Sequence, residues 1–112
     1  MINFINIPAK YQPKIKKIVA RFIQKHHLNP ASNINIELVT RNRIRALNKK
    51  YRQIDKETDV LSFPIWRQKA DIPKTGQVAL GDIMIAPEKD NLDAKIEMLI
   101  EHSLNHLVGK HH

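Results

Sequence analysis

The sequence of 112 residues contains no cysteine. Disulfide bonds are therefore excluded, as are zinc sites built on thiolates, so any metal must be held by His, Asp or Glu. No apolar run approaches the roughly 18 residues that span a bilayer, and the first ten residues lack the apolar core of a signal peptide. We therefore expect a single-domain protein of the cytoplasm, with no membrane partner.

Aromatic residues are also scarce, at 5% of the chain. This scarcity disfavours a base-stacking platform, so a bound nucleic acid would be held mainly through its phosphates. Positive charge is in excess, because 19 Lys and Arg against 11 Asp and Glu give a net charge of +8. In a small domain this excess favours a polyanionic partner, of which nucleic acid is the commonest, although solubility alone is an alternative explanation.

We expect an α+β fold for the single domain 1–112, with a small mixed β-sheet packed with helices, and the hydrophobic pattern predicts its strands and helices. Strands are predicted over residues 2–7, 34–40, 58–64 and 78–86, and helices over 13–27, over the basic segment 41–52 that Thr40 can cap, and from Leu92 to Leu107. Residues 65–77 have no clear period and are predicted to be a loop. Gly81 lies inside a predicted buried strand, where the backbone can be approached closely.

The closing stretch HSLNHLVGKHH carries the strongest indication of chemistry. His102 and His106 are four residues apart, so their imidazoles share one face of a helix. Gly109 can end that helix in a left-handed conformation, after which His112 can approach the other two. Three imidazoles around one ion leave a coordination position open, which is typical of catalytic zinc. The spacing therefore indicates a candidate metal site on the C-terminal helix, at the border of a cleft.

Other interpretations of these histidines remain open. Two histidines near a helix C-terminus can simply complement the helix dipole, and a terminal pair can be the remnant of a purification tag. His111 also competes with His112 for the position of the third ligand.

Three blocks, in the same order along the chain, resemble those of the YbeY family of bacterial rRNA maturation factors. They are LNKKYRQIDKETDVLSFP at 47–64, LGDIMIA at 80–86 and HSLNHLVGKHH at 102–112. The first block matches the family pattern Leu-Asn-x-x-Tyr-Arg-x-x-Asp-x-x-Thr-Asp-Val-Leu-Ser-Phe at every specified position. Three ordered blocks are far more specific than any single motif.

This resemblance implies a zinc-dependent endoribonuclease of 16S rRNA maturation and ribosome quality control, with rRNA and the small ribosomal subunit as partners. His102, His106 and His112 match the family's three ligands, and Arg52 matches its functionally important arginine. With this resemblance we expect one Zn²⁺ per chain, in a cleft bordered by the C-terminal helix and segment 41–52. The third block departs from the family pattern at four positions: Ser103 replaces Gly, Asn105 replaces Leu, and Lys110 and His111 replace Tyr and Asp.

Three residues of the first two blocks are candidates for catalysis. Arg52 carries a planar, permanently charged fork that can hold a phosphate and offset charge in the transition state. Asp59 and Asp82 can accept from an imidazole N–H or act as a general base, but each can equally be structural. Zinc peptidases place Glu directly after the first helical His, and here Ser103 holds that position, which disfavours proteolysis.

A function from another class fits the same features. A non-catalytic ribosome-assembly factor could bind rRNA through the basic surface, with a structural or vestigial metal site.

Overall fold

The computed structural model describes residues 1–88 and 92–109. Four strands form one sheet: β1 (Ile2–Ile5), β2 (Ser32–Leu38), β3 (Val60–Pro64) and β4 (Val78–Ile85). Their spatial order is β1-β2-β4-β3, with β1, β2 and β4 parallel and β3 antiparallel to β4 at one edge. The helices are α1 (Gln12–Lys25), α2 (Arg41–Arg52) and α3 (Leu92–Leu107). The predicted α+β class and mixed sheet are confirmed.

Local sequence signals account for the helix ends. Pro13 occupies the first turn of α1, where its missing N–H costs nothing. The Thr40 side chain accepts a hydrogen bond from the Arg43 backbone N–H at 3.1 Å, which confirms the predicted cap of α2. Gln53 ends α2 with φ of 58°, and Gly109 follows α3 with φ of 83°, the left-handed conformation expected for it.

The two faces of the sheet are covered differently. Apolar side chains of α1 and α3 pack with Ile83 and Ile85 of β4 in the main core. On the opposite face a smaller cluster joins Ile44 of α2 to Leu61, with Phe63 packed against it. Because side chains alternate along a strand, Asp82 and its neighbours on β4 project to opposite faces of the sheet.

Gly81 marks a close approach between β4, β3 and α3. A Cβ atom at this position would lie 2.3 Å from the Phe63 carbonyl oxygen and 2.9 Å from Leu107 Cδ2, and the glycine has φ of 142°. The predicted close approach is therefore confirmed, and the neighbouring groups belong to β3 and α3.

All four predicted strands differ from the observed ones at one end or both, and the strand predicted over 78–86 ends one residue earlier, at Ile85. The strand predicted over 2–7 ends at Ile5, because Asn6 adopts a left-handed φ of 59°. The strand predicted over 34–40 begins at Ser32 and ends at Leu38, before the residues that lead to the α2 cap. The strand predicted over 58–64 begins at Val60, and the Asp59 side chain just before it joins an ion cluster. In the part of the chain that the structure describes, no helix is long and apolar enough to cross a membrane.

Candidate active site

His102 and His106 lie side by side on the outer flank of α3. Their ring centroids are 4.4 Å apart, with His102 exposed and His106 half-buried. Ser103 and Leu104, on the adjoining face, are completely buried, which fixes the direction in which the two imidazoles project. Two neutral imidazoles at this separation are donors of the kind and spacing that zinc accepts from a helix. The donor chemistry of the pair therefore fits the metal that the sequence predicts.

His112 lies outside the described residues, as do Lys110 and His111. Within residues 1–88 and 92–109 no group of three His, Cys, Asp or Glu side chains could hold a metal ion. The third ligand therefore stays a prediction. The described chain ends beside the 65–77 loop, because a Cβ on Gly109 would lie 3.1 Å from the Arg67 carbonyl oxygen and 3.0 Å from the Gln68 Cα.

A series of hydrogen bonds connects Arg52 to the helix that carries the histidines. Arg52, at the end of α2, is exposed and donates through Nη2 to the Ser62 carbonyl oxygen at 3.1 Å. Ser62, on the edge strand β3, donates through its Oγ to the Ser103 carbonyl oxygen at 3.5 Å. Because Ser103 directly follows His102, the structure brings the predicted phosphate-binding arginine and the histidine pair to the same edge of the sheet.

Asn48 holds the segment after α2 and is a residue that the sequence interpretation missed. Its side chain is buried and donates to the Lys56 carbonyl oxygen at 3.1 Å, while its own carbonyl oxygen accepts from the Ile54 N–H. These bonds fold residues 53–59 back against α2 and so define where Arg52 leaves the helix. The signal was present, because Asn48 is the Asn of the Leu-Asn-x-x-Tyr-Arg pattern.

Asp59 lies in an ion cluster at the other end of β3 from the histidines. It accepts from Arg41 Nη1 at 2.6 Å, and Lys95 Nζ lies 3.5 Å from its second oxygen. Arg41 also donates to the Ala86 carbonyl oxygen at 2.6 Å. Lys95 precedes His102 by seven residues, which is about 10 Å along a helix. The structure therefore joins Asp59 to α2, α3 and the end of β4, and does not bring it to the histidine pair.

Asp82 faces away from α3. It pairs across the sheet with Phe63 and with Asn35, whose side-chain amide donates to it at 2.8 Å. Phe63 belongs to the face covered by α2, and directly paired residues project to the same face. Asp82 and the histidines thus lie on opposite sides of the sheet.

The cations of α2 fall into two groups. The first group, Arg41 and Arg45, is paired with carboxylates. Arg45 donates to Asp55 at 2.8 Å, and this hydrogen bond lowers the pKa of the Asp55 carboxyl group. The hydrogen bond to Asp59 raises the pKa of Arg41. Within residues 1–88 and 92–109, the other cations of this helix lie beyond ion-pair distance of a carboxylate; they are Arg43, Lys49, Lys50 and Arg52. These four exposed side chains form the part of α2 that is open to an anionic partner.

Comparison with known proteins gives one consistent family. A family model described as Endoribonuclease YbeY matches residues 2–112. Endoribonuclease YbeY of Agathobacter rectalis is 32% identical over 130 residues, covering 96% of this chain and 79% of that protein. Endoribonuclease YbeY of Caldicellulosiruptor saccharolyticus is 36% identical over 130 residues, covering 96% of this chain and 81% of that protein.

A solved structure shares the fold. The solution structure of TM1509 from Thermotoga maritima superimposes with a TM-score of 0.56 at 23% identity, covering 97% of this chain and 73% of that one. At this identity the likeness concerns the arrangement of strands and helices.

Proposed function

The chain belongs to the YbeY endoribonuclease family, and from this premise we propose that it is a metal-dependent endoribonuclease that cleaves rRNA. The proposed setting is 16S rRNA maturation and ribosome quality control in the cytoplasm, on the small ribosomal subunit. The observation that supports the proposal most strongly is the contact series Arg52–Ser62–Ser103. Through Ser62, this series connects the exposed guanidinium of Arg52 to the helical turn that carries His102.

We propose that His102, His106 and His112 hold one zinc ion. The first two supply adjacent imidazoles on α3, and the chain has no thiolate that would favour a closed structural site. When bound, zinc would supply Lewis acidity toward a phosphoryl oxygen and a source of hydroxide near neutral pH.

Arg52 is proposed to bind and orient the scissile phosphate. A guanidinium carries five N–H donors in a rigid fork, and one of them is committed here to the Ser62 carbonyl oxygen. This bond holds the side chain along the β3 edge, so less rotamer entropy is lost when a phosphate binds. The charge of Arg52 would also offset the charge that develops on the phosphoryl oxygens in the transition state.

Asp59 is proposed to position the site rather than to transfer a proton. Its carboxylate is held by Arg41 and Lys95, which together join the beginning of α2 to the first half of α3. Because α3 carries both histidines, the ion cluster helps to set where that helix lies against β3. Asp82 lies on the opposite face of the sheet and has no role in the proposed metal site.

The metal site is tested by elemental analysis of untagged protein. Wild type should contain about one zinc per chain, and His106→Ala should contain almost none, since a three-ligand site loses much of its affinity with one ligand removed. His27→Asn is the matched control, because His27 is exposed with φ of 54°, a conformation that Asn tolerates. Equal zinc in wild type and His106→Ala would contradict the proposed ligand set.

The role of Arg52 is tested with Arg52→Lys, which keeps the charge and removes the fork. Cleavage of rRNA should fall by about 100-fold while bound zinc stays unchanged. If zinc fell together with activity, Arg52 would support the metal site rather than the phosphate. Zinc-loaded protein that binds rRNA without cleaving it would favour the non-catalytic assembly factor.

A further inference from the structure

A groove separates α2 from the sheet face that α1 and α3 leave uncovered. Its volume is about 320 Å³, and we call it the α2 groove; its lining residues are Arg43, Leu47, Tyr51, Phe63, Asp82 and Met84. The first three recur every four residues along α2 and form one wall, while the other three project from β3 and β4. We propose that the α2 groove binds one unpaired nucleobase of the RNA substrate, a deepening that rests on the proposed function.

The first argument is an exposed aromatic pair. Tyr51 is 55% exposed, and its ring meets that of Phe63 edge to face at a centroid distance of 5.4 Å. Lys50 Nζ lies 5.2 Å from the centroid of the Tyr51 ring. Exposed aromatic rings in a positively charged groove are the groups on which unpaired bases stack in proteins that bind single-stranded nucleic acid.

The presence of two aromatic residues in one groove narrows what the low aromatic content of the chain excludes. The chain has only six aromatic residues, and two of them line this one groove. A low aromatic content excludes a broad stacking platform, but it leaves room for a pocket that takes a single base.

The second argument is the carboxylate of Asp82, which lies in the groove near Arg43. Asn35 donates to one of its oxygens, Oδ1, at 2.8 Å, and this bond orients the group. A carboxylate accepts from base amino groups, which guanine, cytosine and adenine carry and uracil lacks. Guanine fits best, because its Watson–Crick edge offers two neighbouring N–H donors. Reading that edge requires an unpaired base, so the occupant is single-stranded RNA.

The third argument is the path from the α2 groove to the histidines. Tyr51 and Arg52 are neighbours in the chain, and Arg52 lies on the edge of β3 through its bond to Ser62. Ser62 contacts α3 on the other face at Ser103. These contacts mark the route by which an RNA strand with one base in the groove would cross the β3 edge along Arg52 toward the helix that carries His102.

The test measures binding of single-stranded RNA by fluorescence anisotropy, using an oligouridylate and the same oligomer with one guanosine. Wild type should bind the guanosine-containing RNA about tenfold more tightly, the discrimination typical of one good base contact. Asp82→Asn should reduce this ratio to about one without weakening oligouridylate binding, because removing a negative charge does not disfavour RNA. A ratio unchanged in Asp82→Asn would overturn the proposal.

Stacking is tested separately by nuclear magnetic resonance titration of the full chain with GMP and UMP. GMP should shift the Tyr51 and Phe63 ring resonances at lower concentration than UMP, and Tyr51→Phe should keep the response that Tyr51→Ala loses. Because Tyr51 is exposed, its truncation should leave the fold intact, which the remaining resonances report. Absence of ring shifts with every nucleotide would overturn the proposal and favour a protein occupant of the groove.

Binding and cleavage of the two oligomers by zinc-loaded wild type separate this inference from the proposed function. Guanosine-dependent binding without cleavage in zinc-loaded wild type would contradict the proposed function and support the groove. Cleavage by wild type with equal affinity for the two oligomers would support the function and contradict the groove.

Discussion

Gly81 lies at a close contact between β4, β3 and α3. Gly81→Ala would place a methyl group 2.3 Å from a β3 carbonyl oxygen and 2.9 Å from Leu107, at a φ of 142°. Since backbone oxygen cannot yield as a flexible side chain can, we expect a loss of about 3 kcal/mol or more in the free energy of unfolding. Urea unfolding followed by circular dichroism measures it.

Gly76→Ala is the matched control for that substitution. Gly76 also has a positive φ, of 79°, but nothing lies within 4 Å of its added Cβ. Only backbone strain remains, at about 1 kcal/mol. Equal losses in the two variants would show that the close contact at Gly81 contributes nothing.

Single residues show which parts of the site could be predicted from sequence. The shared face of His102 and His106 follows from their spacing alone, because a helix repeats every 3.6 residues. The alternation along β4 likewise predicts that Asp82 and Ile83 face opposite ways. It does not tell which face α3 will cover, since that depends on packing between distant segments. For this reason the sequence interpretation grouped Asp82 with the other catalytic candidates, although the sheet separates it from the histidine pair.

At the scale of elements, Asp59 holds α2 and α3 together, and its replacement tests that role. Asp59→Asn removes the charge that Arg41 contacts at 2.6 Å and Lys95 at 3.5 Å. We expect a loss of about 1–2 kcal/mol in the free energy of unfolding, the usual contribution of a charged hydrogen bond in a half-buried setting. Denaturant unfolding measures it.

Glu57→Gln provides the control, because Glu57 contacts the same Arg41 at 3.2 Å from a more exposed position. Its effect should be smaller. Cleavage by zinc-loaded Asp59→Asn should stay within a few-fold of wild type at a temperature where both are folded. A loss of activity with no loss of stability would instead assign Asp59 to proton transfer.

The α2 helix also contains a pH-dependent contact. The hydrogen bond from Arg45 lowers the pKa of Asp55, so the contact stabilises the fold above the pKa of an unfolded aspartate, about 4. As the pH falls through the lower folded pKa, the carboxylate is protonated and that stabilisation is lost. The stability difference between wild type and Asp55→Asn should therefore shrink on acidification.

Unfolding measured across the acid range at low salt checks this prediction. Both side chains are about half exposed, so high salt should reduce the difference through screening. A difference that grew as the pH fell would contradict the assignment.

Helices proved easier to predict than strands because their signals are local. The cap at Thr40 and the left-handed Gly109 stand beside the helices that they delimit. The strand ends depend on partners far along the chain. Asp59, for example, was predicted to lie in β3, but its side chain joins Arg41 and Lys95 before the strand begins at Val60.

At the scale of the whole molecule, the net charge of +8 predicts how RNA binding responds to salt. Each phosphate neutralised by the protein releases counterions, so the logarithm of the affinity should fall with the logarithm of salt at a slope of about −0.7 per contact for a single strand. Lys49→Gln combined with Lys50→Gln should make the slope shallower by about one to two contacts. If the affinity of wild type for RNA did not change with salt, electrostatic contacts would contribute nothing to binding.

The strand order β1-β2-β4-β3 is the feature that the sequence indicated least. A mixed sheet was expected, but no local signal in the sequence indicates that β4 lies between β2 and β3. That order makes β3 an edge strand, and this position lets Arg52 contact Ser62 while Ser62 contacts α3. The relation between the arginine and the histidines is therefore a property of the whole fold.

The central claim, a metal-dependent ribonuclease with its metal on α3, is tested most directly by restoring zinc to protein stripped with a chelator. The measured quantity is the rate of internal cleavage of rRNA as zinc is added. We expect cleavage to be lost in the stripped wild type, to recover and saturate near one zinc per chain, and to stay absent in His106→Ala at the same zinc concentrations. Full cleavage by stripped wild type, or recovery of His106→Ala at the same stoichiometry, would contradict the account.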